Sequence, residues 1–210
     1  MNGKPASEKR LKIWEIALLI ALAVFLISGM LSLRTQQELS EKVVRLHVLA
    51  NSDSAEDQAL KLQVRDVILD QTTQLLEEAS DRKMAEGLLR GNLLELERLA
   101  EEEIRARGYH YSVNAELSST EFSTRKYDGF SMPAGEYLSL RIMIGDGSGQ
   151  NWWCVVFPPL CTAAATDFSM TALAAGLSED EVALITEEQG YILKFKTIEL
   201  WEALKRQWTK

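Results

Sequence analysis

Histidine and cysteine are scarce in this 210-residue chain, which holds two of each: His47 and His110, Cys154 and Cys161. That scarcity excludes much chemistry. A nucleophilic hydrolase needs Ser or Cys beside a base, and a zinc site needs several closely spaced Cys or His ligands; two distant histidines supply neither pattern. His47 lies in an apolar run and His110 on the polar side of another, the ordinary places of a structural and a solvated imidazole. Basic charge is also short, with 23 Lys and Arg against 31 Asp and Glu and a net charge of −8. The lead before Ile16 carries four basic and two acidic residues, so the remainder holds −10, which argues against nucleic acid or anionic lipid as the main partner. The glycine run GDGSG at 145–149 lacks the lysine and following helix of a phosphate loop and the regular acidic spacing of a calcium loop, and reads as a turn. Carboxylates abound, but no pair stands out for glycoside hydrolysis. Internal repeats and low-complexity segments are absent.

What is present begins with a long apolar run. Hydrophobic residues make up 46% of the chain, ample for a packed core. Ile16 to Leu33 is uncharged, and a helix of that span covers roughly 27 Å, close to the bilayer hydrocarbon thickness of about 30 Å. Lys4, Lys9, Arg10 and Lys12 precede it, while Arg34, Glu38 and Glu41 follow. The positive-inside bias therefore keeps the amino terminus in the cytoplasm and sends everything after Leu33 outside. A basic start and an apolar centre also fit a cleaved signal peptide; no clean A-x-A site follows, although Ser28, Gly29 and Ser32 are small. Anchor and signal peptide both stay open. The organisation expected is a cytoplasmic lead at 1–15, a transmembrane or signal segment at 16–33, a linker at 34–41 and an exported domain at 42–210.

Within the exported part, Lys42 to Leu49 reads as a strand that stops at Asn51-Ser52-Asp53-Ser54. Ser54 followed by Asp57 resembles a capping box, so a helix starts near Ala55, with Leu60, Val64, Val67, Ile68, Gln71 and Leu75 along one face. Asp81 opens a second helix with Leu89, Leu93, Leu96, Ala100 and Ile104 on one side and Glu97, Glu101, Glu102, Arg105 and Arg107 on a solvated side, ending at Gly108. Together they predict a helical hairpin. From Tyr109 to Leu117 the period becomes two, the mark of a half-buried strand, and Leu138 to Ile144 repeats it. The latter is expected to form an antiparallel hairpin with the next strand through Gly145–Gly149. Ser178 and Glu181 form a second capping box. Ile192 to Lys196 reads as a strand, and Ile198, Trp201, Leu204, Lys205 and Trp208 as an amphipathic terminal helix.

The densest stretch is Asn151 to Cys161, NWWCVVFPPLC, apolar on both alternating faces until Pro158 and Pro159 end it. The turn at the prolines can bring Cys161 back to Cys154. In an oxidising compartment the two would pair; otherwise they are buried thiols. Side chains of Trp152 and Trp153 point to opposite faces, so at least one belongs to the core, and the other is either core too or an anchor for a partner. Trp152, Trp153, Phe157, Pro158 and Pro159 form the candidate partner surface.

HVLANSDSAEDQALKLQVRD at 47–66, MPAGEYLSLRIMIGDGSGQNWWCVVFPPLC at 132–161 and the ending around FKTIELWE resemble the stage II sporulation protein R family of endospore-forming bacteria, from about Val43 to Glu202. The resemblance implies a signalling protein made in the forespore and exported into the space between the two septal membranes. There it would activate a membrane-embedded aspartic protease of the mother cell that cleaves the pro-form of sigma factor E. It implies no active site and transfers no contact residues. The expectation is an α+β exported domain behind an N-terminal transmembrane or signal segment, with no enzymatic activity and no cofactor. Rival readings are a cell-wall-acting hydrolase and a wall-binding module.

Overall fold

The computed structural model describes residues 6–127, 129–161 and 168–186. Helix α1 spans Ala6–Lys42. It is long and apolar enough to cross a membrane by length and composition, and Trp14, Leu18, Leu19, Phe25 and Leu26 project outward uncovered by protein. Such a helix fits a membrane anchor or a signal peptide. The stretch 34–41, expected to be a linker, is instead the last turns of α1. The reason is packing: Gln36 and Leu39 are buried against the domain, and Lys42 Nζ lies 2.7 Å from the buried Glu181 carboxylate.

Strand β1, Val44–Leu49, follows at once. After it, Ser54 caps helix α2 (Ala55–Leu75) by accepting from the Asp57 N–H at 3.1 Å. The reciprocal half of a capping box does not form. The Asp57 carboxylate turns to the Ser52 hydroxyl and the Asn51 amide instead, at 2.5 and 2.9 Å.

The expected second helix is two: α3, Arg82–Gly91, capped by Asp81, and α4, Leu93–Ala106. Asn92 makes the break, its N–H donating to Leu89 O and its side-chain amide to Leu88 O. Leu89, Leu96, Ala100 and Ile104 all stay buried across the interruption, so the apolar periodicity carries no trace of it. Gly108, at φ +83°, ends α4.

Strand β2 is Val113–Phe122, starting later than the alternation from Tyr109 suggested. A two-residue ribbon of β3 (Arg125–Lys126) and β4 (Ser131–Met132) leads to β5 (Gly135–Ile144) and β6 (Asn151–Phe157). Helix α5 is Phe168–Ala174. Helix α6, Glu179–Thr186, opens with the expected capping box, Ser178 Oγ accepting from Glu181 N–H and the Glu181 carboxylate from Ser178 N–H. The strand and helix expected after Gly190 lie outside the described residues.

The sheet order is β2-β5-β1-β6, with β1 parallel to β5 and antiparallel to β6. The expected β5–β6 hairpin is therefore corrected: β1 lies between them. Stepping over one strand spans about 10 Å, which the connecting loop reaches. That loop is bonded to the chain leaving β1: Gly149 N–H donates to Ala50 O, Asp146 N–H to Asn51 Oδ1 and Gln150 N–H to Asp53 Oδ1. One face of the sheet packs on α2, α3 and α4 through Leu46, Val48, Leu140, Ile142 and Val156. The other meets the end of α1, the β3–β4 ribbon, α5 and α6. The edge of β2 is covered as well. Glu97 and Glu101, expected on a solvated face, accept from the Ala115 and Val113 N–H groups at 2.8 and 3.3 Å.

A Cβ at Gly149 would lie 2.1 Å from the Ser52 carbonyl oxygen, so the loop seats only with glycine there. Gly149→Ala is expected to lower stability by about 2 kcal/mol in urea denaturation. Gly87→Ala, in open space on α3, should instead gain about 0.5–1 kcal/mol. A wild-type midpoint for Gly149→Ala would show that the loop does not dock against Ser52.

Candidate functional site

Strand β6 pairs only with β1 among the described residues, and its first turns of sequence reach the surface. Trp152 and Trp153 are both half-buried and lie on opposite faces. On the helical side, Arg65 lies over the Trp152 ring at 4.9 Å. On the other, Trp153 stacks on His47 at 3.8 Å and 17°, meets Phe122 edge-on at 5.0 Å and carries Arg125 over it at 5.0 Å. Neither indole is wholly core.

Cys154 and Cys161 form a disulfide, with Cα atoms 6.0 Å apart. The Phe157–Pro158 peptide is cis. Phe157 and Pro158 are buried, so these two do not belong to any surface; the strand's apolar end is tucked under the turn. Pro159 is half-buried. What remains of the candidate surface is Trp152 on one face, Trp153 on the other and Pro159 at the turn.

Around Trp153 the structure assembles a polar cluster in which His47 stood out in the sequence while Arg45, Ser139 and Arg141 did not. β1 presents Arg45 and His47 to this face, while Val44, Leu46 and Val48 point to the helices. Across the parallel pairing, Arg45 is in register with Ser139 and His47 with Arg141; on the other edge, His47 faces Trp153. Arg45 is fully buried, its guanidinium 3.9 Å above Phe122 and 5.1 Å from Tyr137, with one nitrogen donating to Tyr127 Oη at 2.7 Å. Its Nε and Nη1 have no partner, nor do Ser139 Oγ, Arg141 Nε or either His47 ring nitrogen. Arg141 pairs with Glu116 across the β2–β5 register. The signal was readable: Arg45 and His47 stand two apart inside an apolar strand, so they share a face.

Burial dominates the electrostatics here. It lowers the Arg45 guanidinium below its ordinary value and raises Tyr127 above its own. It also lowers His47 to about 4; Arg141, Arg45 and Arg125 push the same way, while the nearby Asn151 amide opposes them without reaching hydrogen-bond geometry. At neutral pH, His47 is therefore an uncharged ring beside positive groups.

Above pH 6.5 the imidazole is neutral folded and unfolded, and its contribution is complete; as pH falls toward about 4, the unfolded chain takes up the proton first and stability is lost. The difference in stability between wild type and His47→Asn should shrink over that window and level below it. A constant difference from pH 7 to 4, by denaturant titration, would contradict the buried neutral ring.

No solved structure matches this chain. The stage II sporulation protein R of Bacillus subtilis (strain 168) is 37% identical over 121 residues, 58% of this chain and 54% of the relative. The chain thus spans about half the length of that curated relative. The family described as stage II sporulation protein R matches residues 40–167, which run from the end of α1 through β6 and both cysteines. On that match, the chain belongs to the stage II sporulation protein R family.

Proposed function

We propose that this protein is an exported sporulation signal: its domain activates a membrane-embedded aspartic protease, which then cleaves pro-sigma-E in the mother cell. Family membership carries the reading. The apolar α1 supports export across the forespore membrane, with the domain acting in the septal intermembrane space, still anchored or released by cleavage. The disulfide suits an oxidising compartment on that side. No catalytic role is assigned to the domain. It acts by contact, and a contact can shift the protease toward its active form only by binding that form more tightly.

The contact surface in this reading centres on Trp153 with Arg125 above it, because a half-exposed indole on a rigid strand supplies apolar area at small entropic cost. Trp152 anchors a second patch on the opposite face.

The test is co-expression of the full chain with the candidate protease and its pro-sigma substrate in a non-sporulating host. Cleavage that depends on the exported chain is expected. Trp153→Ala should reduce it at least about tenfold, the loss typical of an interface anchor, and Arg125→Glu should weaken it without touching the core. If Trp152→Ala, Trp153→Ala and Arg125→Glu all fold and trigger full cleavage, the surface is elsewhere. No cleavage at all, with a folded, exported chain and a competent protease, would favour the wall-hydrolase reading.

A further inference from the structure

We propose that the sheet face bounded by Arg45, Ser139, His47 and Arg141 is a binding site for a single carboxylate. The four side chains occupy two adjacent register pairs, Arg45 with Ser139 and His47 with Arg141, on one face of the parallel β1–β5 ladder. Pairs two residues apart lie roughly 6.5 Å from each other, about the width of a carboxylate and its hydrogen bonds. Each of the four carries a buried polar atom without a partner: two nitrogens on Arg45, both on His47, Nε on Arg141 and the Ser139 hydroxyl. Buried donors are normally satisfied, and a buried charge without a counter-ion is among the costliest arrangements in a protein. Arg45 is fully buried, with aromatic rings and one tyrosine hydroxyl around it, and it pairs with no carboxylate among the described residues.

Charge selects the ligand. Arg141 is already matched by Glu116 and His47 is neutral, so among the described residues of the inner cluster Arg45 is the one buried positive charge left without a counter-ion, and the exposed Arg125 over Trp153 adds a second positive charge at the rim. A monoanion balances Arg45. A dianion such as sulfate would bring a second negative charge toward Glu116. The walls favour an organic acid as well, since Phe122, Tyr137 and Trp153 surround the donors. The donor atoms are closed off from solvent, so entry requires the part-exposed Arg141 and Trp153 to move aside at the rim, where Asn151 is exposed. The site stands apart from the signalling reading, because it is tested by binding to the isolated protein.

The chain's two histidines make the measurement direct. Full-length protein in detergent micelles, labelled on histidine, is titrated by NMR with three probes at constant ionic strength: N-acetylglycine, the capped peptide acetyl-Ala-Asp-Ala-amide, and sulfate. A carboxylate seated beside His47 stabilises its protonated form. Its midpoint should rise from about 4 by at least about one unit, a tenfold gain in proton affinity, saturating with probe. A response to N-acetylglycine marks a site for small acids; a response to the peptide alone marks one for an acidic side chain. Arg45→Met should abolish either, and Arg141→Gln serves if that variant does not fold. The proposal falls if neither carboxylate moves His47, if sulfate moves it equally, or if the shift survives in the folded variant.

Discussion

The position of β1 between β5 and β6 governs the rest of the domain. Its backbone is paired on both edges, so its side chains alternate between two separate interiors and none faces bulk water freely. Val44, Leu46 and Val48 join the core made with α2, α3 and α4, where burial of aliphatic side chains supplies the main driving force. Arg45 and His47 go to the other side as a geometric necessity, because the strand period is two. Burying a guanidinium there is costly, and the Phe122 and Tyr137 rings offset it only in part, at about 2 kcal/mol for a desolvated cation over an aromatic face.

The two longer stretches of the family resemblance, 47–66 and 132–161, are folded together by this arrangement. The chain leaving β1 at Asn51–Ser54 and the glycine loop entering β6 share hydrogen bonds, and Lys61 on α2 donates to the Gln150 carbonyl. Asp57 is the hub of that knot. Burial works to raise its carboxyl, but bonds from Ser52 and Asn51 outweigh it and hold the group below its usual range. Residues far apart in sequence thus fix the height of Trp152 and Trp153 at the end of the sheet.

Much of this was legible in the sequence where one local signal sufficed. The caps at Ser54, Asp81 and Ser178, the period-two runs of β2 and β5, and the apolar face of the helices all follow from neighbours within a few residues. What was not legible is non-local. A glycine loop signals a turn but not whether the next strand returns beside the last one or one place further, and β5 and β6 took the second course. Asn92 split a helix without disturbing the spacing of Leu89 and Leu96, so the pattern hid the break. Of the candidate surface, the opposite orientation of the two tryptophans followed from strand geometry. The burial of Phe157 and Pro158, and the polar cluster beneath Trp153, depended on what the rest of the chain laid over them.

Helix α1 runs from the apolar stretch into the domain without a break, and its last turns are packed rather than free. Where residues 16–33 lie in a bilayer, the residues from Arg34 to Lys42 are a stiff post of about 14 Å, not a tether. The domain then stands at a set height above the lipid, and any tilt of the embedded helix, typically about 20°, swings the whole sheet with it. Reach and aim are therefore coupled to the membrane, and removal of the apolar segment would release both at once.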